Sequence, residues 1–435
     1  RHTRCSRDWS SDVCSSDLMP NIHKLKNGLT VITDFIDTVE TVSVGMWNKV
    51  GARNEQEKVN GVAHLLEHMA FKGTANRTAL DIAKEVEMVG GAVNAYTSRE
   101  VTAYYMKVLK EDIGLSIDII SDILQNSTFD AKELDRERGV ILQEIGMYLD
   151  TPDDVVFDKW QEVAYPDQPM GRSILGKSEI IKSISRDQVE GFMKSFYRPD
   201  RMVFSVSGNF QEDLVLDLVE KHFNNLPNGQ DDHSPKASYK GGEFRQEKEL
   251  EQVNIILGFE GVDFYSDLYY STAVYSTVLG SGMSSRLFQE IREKRGLVYS
   301  VSSYTSSFSD SGIFGVYAGT GQKEVKELIP VLCDQLNISA KNFTPEELQR
   351  ARAQFKASLL MGQESTSRRC RSNASKYLMH NEIISHEEII SKIDAVQLED
   401  LERARLNILK SNITLSSIGP VQDLESLDSI KARFN

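Results

Sequence analysis

Apolar residues follow two periods along this chain, one typical of strands and the other of helices. The segment IHKLKNGLTVITDF alternates on both sides of Asn27-Gly28, a pair that favours tight turns, so it predicts a hairpin. TVSVGMWNKV alternates like a third strand. A helical pattern then covers about 60–72, and a second helix follows with Thr78 as its N-cap and Gly90 as its stop.

The same two patterns continue towards the end of the chain. AVNAYTS and VTAYYMKVL predict two more strands, and RMVFSVSGN predicts another after a long helical region. That region divides into three stretches, 111–126, 130–149 and 153–164. The second stretch should end before Pro152, because proline disfavours helix in the residue that precedes it. Strands resume at VNIILGFEG, and helices dominate from about 322 to 409.

The two halves of the chain resemble each other. RMVFSVSGNFQEDLVLDLVEKHF and NITLSSIGPVQDLESLDSIKARF both carry a strand that ends in glycine, Gly208 or Gly419, and then an acidic amphipathic helix. Two unrelated strand-loop-helix units would look similar, but a spacing of about 210 residues favours a duplicated domain. Strands in runs and helices in runs are typical of the α+β class. We therefore predict two homologous α/β-sandwich domains, 19–226 and 243–435, joined by a proline- and glycine-containing linker at 227–242.

The first 18 residues do not fit either pattern. They carry no apolar segment of the kind found in a signal peptide. WSSDVCSSDL back-translates to a sequence that resembles a sequencing-adapter primer, so we expect residues 1–18 to be non-native and the native chain to start at Met19. Two of the four cysteines lie in this leader. The other two, Cys333 and Cys370, form no CxxC pair, which is typical of a reducing compartment.

Composition narrows the classes of function. Hydrophobic residues make up 40% of the chain and charged residues 26%, as in ordinary soluble domains. No apolar run approaches the roughly 20 residues of a membrane span, so we expect no membrane partner. The formal net charge of −14 argues against nucleic acid and allows basic ligands, although solubility alone could account for it. We expect a cytoplasmic protein of a bacterium.

Residues 62–71, VAHLLEHMAF, place three titratable side chains in an otherwise apolar helix. His64 and His68 lie at i and i+4 on one helical face, where two imidazoles can bind the same ion. Glu67 lies on the same side and can accept a proton from a water that the ion acidifies. The trio predicts a hydrolytic metal site that still needs a third ligand. Zinc suits it best, although manganese or cobalt could support the same hydrolysis.

The HxxEH pattern is that of the inverzincins. With GVAHLLEHMAFKGT, GGAVNAYTSRE, ERGVILQEIGMYLDTPDD and SSRLFQEIREKRGLVYSV, the chain resembles the pitrilysin-type zinc peptidases from about residue 22 to 435. Within them it is similar to the mitochondrial-processing-peptidase-like branch and its bacterial members. The resemblance implies bound Zn²⁺, an inactive C-terminal repeat and two domains that close as a clam-shell chamber.

The resemblance also assigns roles outside the HxxEH helix. It implies Glu144 as the third zinc ligand and Glu137, two helical turns earlier, as a hydrogen-bonding support; as patterns alone, both could be solvated helix charges. It implies that Asn94, Ala95 and Tyr96 form the strand that pairs with substrate, and that Phe71 lines an apolar pocket. In the second half, it implies that Arg292 and Tyr299 reach the zinc site and assist binding and oxyanion stabilisation.

Two functions from different classes follow. The leading one is a zinc endopeptidase that cleaves unfolded or presequence-like peptides, preferably basic ones, inside the closed chamber. The alternative is a non-catalytic, substrate-binding subunit of a processing-peptidase pair. The complete set of His64, Glu67, His68 and Glu144 favours the enzyme, because non-catalytic members usually lack part of it. A homodimer or a partner subunit is compatible with either function.

Overall fold

A computed structural model describes residues 19–227 and 234–434 of the chain. The leader at 1–18, with the expectation that it is non-native, lies outside the described residues, as do positions 228–233 of the predicted linker. Within the described ranges, no helix is both long and apolar enough to cross a bilayer.

The first half contains the predicted strands and helices, together with two helices within 178–196 that were not predicted. Its elements are β1 (Asn21–Lys24), β2 (Thr30–Phe35), β3 (Thr41–Asn48), α1 (Val62–Ala70), α2 (Ala79–Met88), β4 (Ala92–Thr97), β5 (Thr102–Leu109), α3 (Ile113–Gln125), α4 (Ala131–Leu149), α5 (Pro152–Ala164), α6 (Ser178–Ser183), α7 (Arg186–Phe196), β6 (Met202–Gly208) and α8 (Glu212–His222). The predicted hairpin forms between β1 and β2, and the Thr78 side chain caps α2.

Six strands form the first sheet in the order β1-β2-β6-β3-β5-β4. All neighbours are antiparallel except β2 and β6, which are parallel. The helices α1 and α3 bury their apolar side chains against one face of this sheet. β4 pairs only with β5 in the described part of the chain, so its outer edge is free.

The second half repeats this order of elements without a counterpart of β1. They are β7 (Gly242–Glu247), β8 (Val253–Glu260), α9 (Tyr269–Gly280), a π-helix (Phe288–Glu293), β9 (Val298–Ser307), β10 (Gly312–Thr320), α10 (Val325–Asn337), α11 (Pro345–Gly362), α12 (Thr366–His380), α13 (His386–Ala395), α14 (Leu398–Leu409), β11 (Thr414–Gly419) and α15 (Leu427–Ala432). The second sheet has the order β7-β11-β8-β10-β9, with β7 and β11 parallel. In this arrangement β9 occupies the edge that β4 occupies in the first sheet.

The glycines at the ends of β6 and β11 share one conformation. Gly208 has φ of 135° and Gly419 has φ of 136°, values that side-chain-bearing residues rarely adopt. A Cβ atom at Gly208 would lie 2.3 Å from the carbonyl oxygen of Thr41, and one at Gly419 would lie 2.4 Å from that of Gln252. The same backbone conformation at equivalent places agrees with the duplication, and the predicted α+β class with two homologous domains is confirmed.

The two halves exchange equivalent helices. α5 belongs to the first half in sequence but packs on the second sheet, where Trp160 lies against Gly258 and Gly315. α12 belongs to the second half but packs on the first sheet, with Cys370 and Ala374 in one apolar cluster with strand residues of that sheet. The packing units therefore differ from the sequence segments at these two helices.

An ion pair ties the halves together next to α1. Arg53 is 6% exposed, and its guanidinium donates to both oxygens of Asp310, at the tip of the β9–β10 hairpin. The same guanidinium donates to Glu100 and to the carbonyl oxygen of Pro235 in the linker. A buried arginine with this many acceptors fixes the hairpin tip against the first half.

Candidate metal centre

A buried carboxylate holds the first turn of α1. Glu55 is 4% exposed and accepts hydrogen bonds from the backbone amides of Gly61 and Ala63, both at 2.8 Å, and from the side chain of Asn60. Burial raises the pKa of this carboxyl to about 7, against the effect of its donors. Gly61 has φ of 96°, and a Cβ there would meet Ile181 at 2.5 Å. The start of the HxxEH helix is thus fixed immediately before His64.

His64, His68 and Glu144 come together between α1 and α4. Their candidate ligand atoms all lie within 4.8 Å of one another, and each histidine Nε2 lies 3.8 Å from Oε2 of Glu144. Burial, with a smaller effect from His68, lowers the pKa of His64 to about 4, so its imidazole is neutral near pH 7. Neutral imidazole is the form that binds a metal ion.

Glu137 supports the second histidine of this cluster. It is 4% exposed, and its carboxylate accepts from Nδ1 of His68 at 3.0 Å and from Nζ of Lys72 at 2.8 Å. The bond to Nδ1 leaves Nε2 of His68 free to face Glu144. By contrast, Nδ1 of His64 is buried without a hydrogen-bond partner among the described residues, so no hydrogen bond at this atom fixes the ring.

Replacing Glu137 should weaken metal binding without removing a ligand. In Glu137→Gln, the amide keeps an acceptor for His68 but loses the charge that pairs with Lys72, so we expect zinc affinity to fall about 10- to 100-fold. Competition with a chromophoric chelator measures this affinity. Glu133→Gln, one helical turn earlier and paired with Arg136, is the control and should bind zinc like the unmodified chain. Equal affinities in the two variants would contradict a supporting role for Glu137.

Glu67 lies beside the cluster and is held from β4. Thr97, the last residue of β4, donates from its hydroxyl to Oε2 of Glu67 at 2.5 Å. Burial raises the pKa of Glu67, and the charge of Glu144 also raises it, while the Thr97 bond and His68 lower it. A carboxylate whose pKa is shifted upwards beside two imidazoles is suited to accept a proton.

The predicted substrate strand lies at the free edge of the first sheet. Side chains on a strand alternate between its faces, and Ala95 packs towards α1 on the same face as Thr97. Asn94 and Tyr96 take the opposite face, where the guanidinium of Arg371 on α12 lies 4.7 Å from the Tyr96 ring centre. Asn94, Ala95 and Tyr96 can therefore bind a peptide through backbone hydrogen bonds at the free edge rather than through their side chains.

Phe71 directly follows α1 and is half-buried. Its ring centre lies 6.1 Å from that of Tyr104, a fully buried residue on β5. The Tyr104 hydroxyl shares a hydrogen bond of 2.9 Å with the hydroxyl of Tyr197, which fixes the Tyr104 ring beneath Phe71. A role for Phe71 in lining a substrate pocket stays a prediction.

Arg292 and Tyr299 lie together on the second half. The guanidinium carbon of Arg292 lies 5.5 Å from the Tyr299 ring centre, and Tyr299 is 74% exposed. In the described ranges, no hydrogen bond, ion pair or ring contact joins either residue to His64, His68 or Glu144. One chain therefore does not bring this pair into contact with the metal residues, and their catalytic role stays a prediction.

The donor set of the cluster fits zinc. Two imidazole nitrogens and one carboxylate are the protein ligands of many catalytic zinc sites, which keep a fourth position open. The charge-neutral state of His64 and the anchored tautomer of His68 agree with that use. Sequence reasoning missed Thr97 and Glu55. Thr97 stood inside the quoted GGAVNAYTSRE block, but nothing in its spacing pointed to Glu67.

Comparison with known proteins assigns the chain to a family. The profile of Insulinase (Peptidase family M16) matches residues 30–178, and that of the Peptidase M16 inactive domain matches residues 183–355. An uncharacterized zinc protease of Rickettsia felis is 39% identical over 401 residues, which cover 92% of this chain and 97% of that protein. The chain belongs to peptidase family M16.

Other relatives agree with the M16 assignment. The mitochondrial-processing peptidase subunit beta of Lentinula edodes is 34% identical, over 98% of this chain and 96% of its own length. The crystal structure of a protease from Helicobacter pylori superposes with a TM-score of 0.85 at 25% identity, over 92% of this chain and 99% of that one. The resemblance to the pitrilysin-type zinc peptidases is thereby confirmed.

Proposed function

We propose that this M16 chain is a zinc-dependent endopeptidase that cleaves unfolded or presequence-like peptides. The observation that carries the proposal is the cluster of His64, His68 and Glu144 with Glu67 beside it. Thr97, which holds Glu67, is the last residue of β4, and the outer edge of β4 is free. An extended peptide that pairs with this edge would therefore lie next to Glu67.

The three ligand residues and Glu67 have different tasks. His64, His68 and Glu144 would hold Zn²⁺, which when bound acidifies water and polarises a carbonyl group. One oxygen of Glu67 is occupied by the Thr97 hydroxyl, and the other is free to take a proton from the attacking water. That proton then passes from Glu67 to the leaving amine.

Substrate would bind as an added strand on β4. Backbone pairing at Asn94, Ala95 and Tyr96 reads no side chains, so it admits many sequences but requires an extended chain. Folded proteins cannot offer such a segment. Enclosure of the site between the two domains, as a chamber, would strengthen that selection.

The acidic character of the chain supports a preference for basic peptides. Residues 137–162, which contain the third ligand and run through most of α5, carry seven acidic and two basic side chains. The chain as a whole has a formal net charge of −14. Such a field raises the local concentration of a cationic peptide and is screened by salt.

A pair of peptides tests this preference. One is rich in arginine, and the other has glutamate at each arginine position. We expect kcat/KM for the basic peptide to be higher by about tenfold or more at low salt, with the ratio falling as salt rises. Mass spectrometry of the products gives rates and cleavage positions. Equal rates at every salt concentration would refute the preference and leave the peptidase assignment intact.

We also propose that the active form is a homodimer in which each chain supplies Arg292 and Tyr299 to the zinc site of the other. Tyr299 is exposed and lies about 26 Å along β9 from Ser307, near the hairpin tip that touches its own first half. An exposed tyrosine paired with an arginine is suited to reach a second molecule. The Lentinula edodes relative, named as a subunit, also supports an assembly.

The bacterial cytoplasm is the proposed location. Cys333 and Cys370 are buried free thiols in separate apolar clusters, as is usual in a reducing compartment.

The experiment that tests the peptidase assignment is the cleavage of an unfolded peptide by the zinc-loaded protein. Removal of zinc with a chelator should abolish cleavage, and added zinc should restore it. If zinc binds and no peptide is cleaved, the chain is instead a substrate-binding subunit, and the proposed activity is wrong.

A further inference from the structure

Thr97 links the edge strand to Glu67 through a single side chain. It is the last residue of β4, and its hydroxyl donates to Oε2 of Glu67 at 2.5 Å. Within residues 19–227 and 234–434, this is the one hydrogen bond that the Glu67 side chain makes. The orientation of the Glu67 carboxylate therefore depends on Thr97.

The geometry leaves one carboxylate oxygen for chemistry. With Oε2 engaged by Thr97, Oε1 makes no hydrogen bond to the described residues, and the charges of His68 and Glu144 both act on Glu67. Without the hydroxyl, the carboxylate can rotate about its terminal torsion, which has a broad and soft profile. A base that samples several orientations spends less time aligned with the attacking water.

The same residue is fixed by the sheet. Thr97 pairs with Thr102 on β5, and the side chain of Thr102 donates to the carbonyl oxygen of Val50. The backbone of Thr97 is thus held in the strand whose free edge would receive substrate. The strand β4 would then position both a peptide paired with its edge and, through Thr97, the carboxylate of Glu67 on α1.

We infer that Thr97 is a positioning residue for Glu67, and that it sets the alignment of the base with a peptide bound on β4. The inference rests on the proposed peptidase function. It predicts a loss in kcat rather than in substrate or metal binding when the hydroxyl is removed. Valine keeps the branched shape of threonine, so Thr97→Val removes the hydroxyl with little change to the strand.

Three variants test the inference. Thr97→Val should lower kcat about 10- to 100-fold with KM and zinc affinity within twofold of the unmodified chain. Thr97→Ser restores the hydroxyl and should recover most of the rate. Ser98→Ala removes the neighbouring hydroxyl, which bonds to Val101 and not to Glu67, and is the matched control. Crystal structures of the zinc-loaded variants should show Glu67 rotated in Thr97→Val alone.

The outcomes separate this inference from the function on which it rests. If the unmodified chain cleaves peptide and Thr97→Val keeps its kcat, the inference is overturned and the peptidase function stands. Failure of Thr97→Ser to recover the rate also overturns it, because the effect then comes from the strand. If the unmodified chain does not cleave, the orientation of Glu67 in the crystal structures still decides: an unmoved carboxylate in Thr97→Val refutes the inference.

Discussion

Glu67→Gln should lose nearly all peptidase activity while it keeps the fold and the metal. Glutamine has the size of glutamate and can still accept from Thr97, so α1 and the contact with β4 remain. It has no charge and cannot take a proton from water. Loss of a general base costs about 10²- to 10⁴-fold in rate, so we expect kcat to fall by that factor. Steady-state cleavage of an arginine-containing peptide gives the measurement.

The matched control is Glu87→Gln, an exposed position near the end of α2. It should cleave at the rate of the unmodified chain. Zinc content and thermal unfolding, measured on both variants, show whether the metal and the fold are kept. Unchanged kcat in Glu67→Gln with zinc bound would mean that another group takes the proton and would remove Glu67 from the mechanism.

Tyr299→Phe should show the second large effect. A positioned hydroxyl that donates to a developing oxyanion contributes about 10²- to 10³-fold, so we expect kcat to fall in that range. The change keeps the ring that contacts Arg292 and leaves the zinc ligands untouched. Tyr304→Phe, on the same strand and 43% exposed, is the control and should keep its rate.

Mixing two inactive variants tests whether Tyr299 acts on a second chain. In a mixed dimer of Glu67→Gln and Tyr299→Phe, one of the two sites receives an intact base and an intact tyrosine. Random pairing should restore about a quarter of the original rate, because half of the dimers are mixed. No recovery after confirmed subunit exchange would rule out the homodimeric arrangement, and so would a purely monomeric chain with full activity.

The candidate metal-binding pair on α1 was readable from sequence because its signal is local. His64 and His68 stand one turn apart, so helical spacing alone put both imidazoles on one face, as the structure shows. Glu144 lies 76 positions after His68, and only the resemblance to known peptidases connected it with the histidines. Strand and helix types followed from the hydrophobic period of the sequence.

Other features depend on contacts between distant elements. The bond from Thr97 to Glu67 requires the end of β4 to meet α1, which no spacing along the chain encodes. The apolar face of α5 shows that the helix is buried but not which sheet buries it. In the same way, the RxxxxxxY pattern of Arg292 and Tyr299 could not show that the two residues contact each other but make no described contact with the histidines of their own chain.

The exchange of α5 and α12 makes each half depend on the other for its folded structure. Separated into two polypeptides, each half would expose a sheet face that only the other half's helix covers. Two separate repeats with the same exchange would form a swapped dimer, and the present chain has that arrangement within one polypeptide. Neither repeat is then an autonomous folding unit. A protease cut in the linker would leave the two fragments interlocked by their helices.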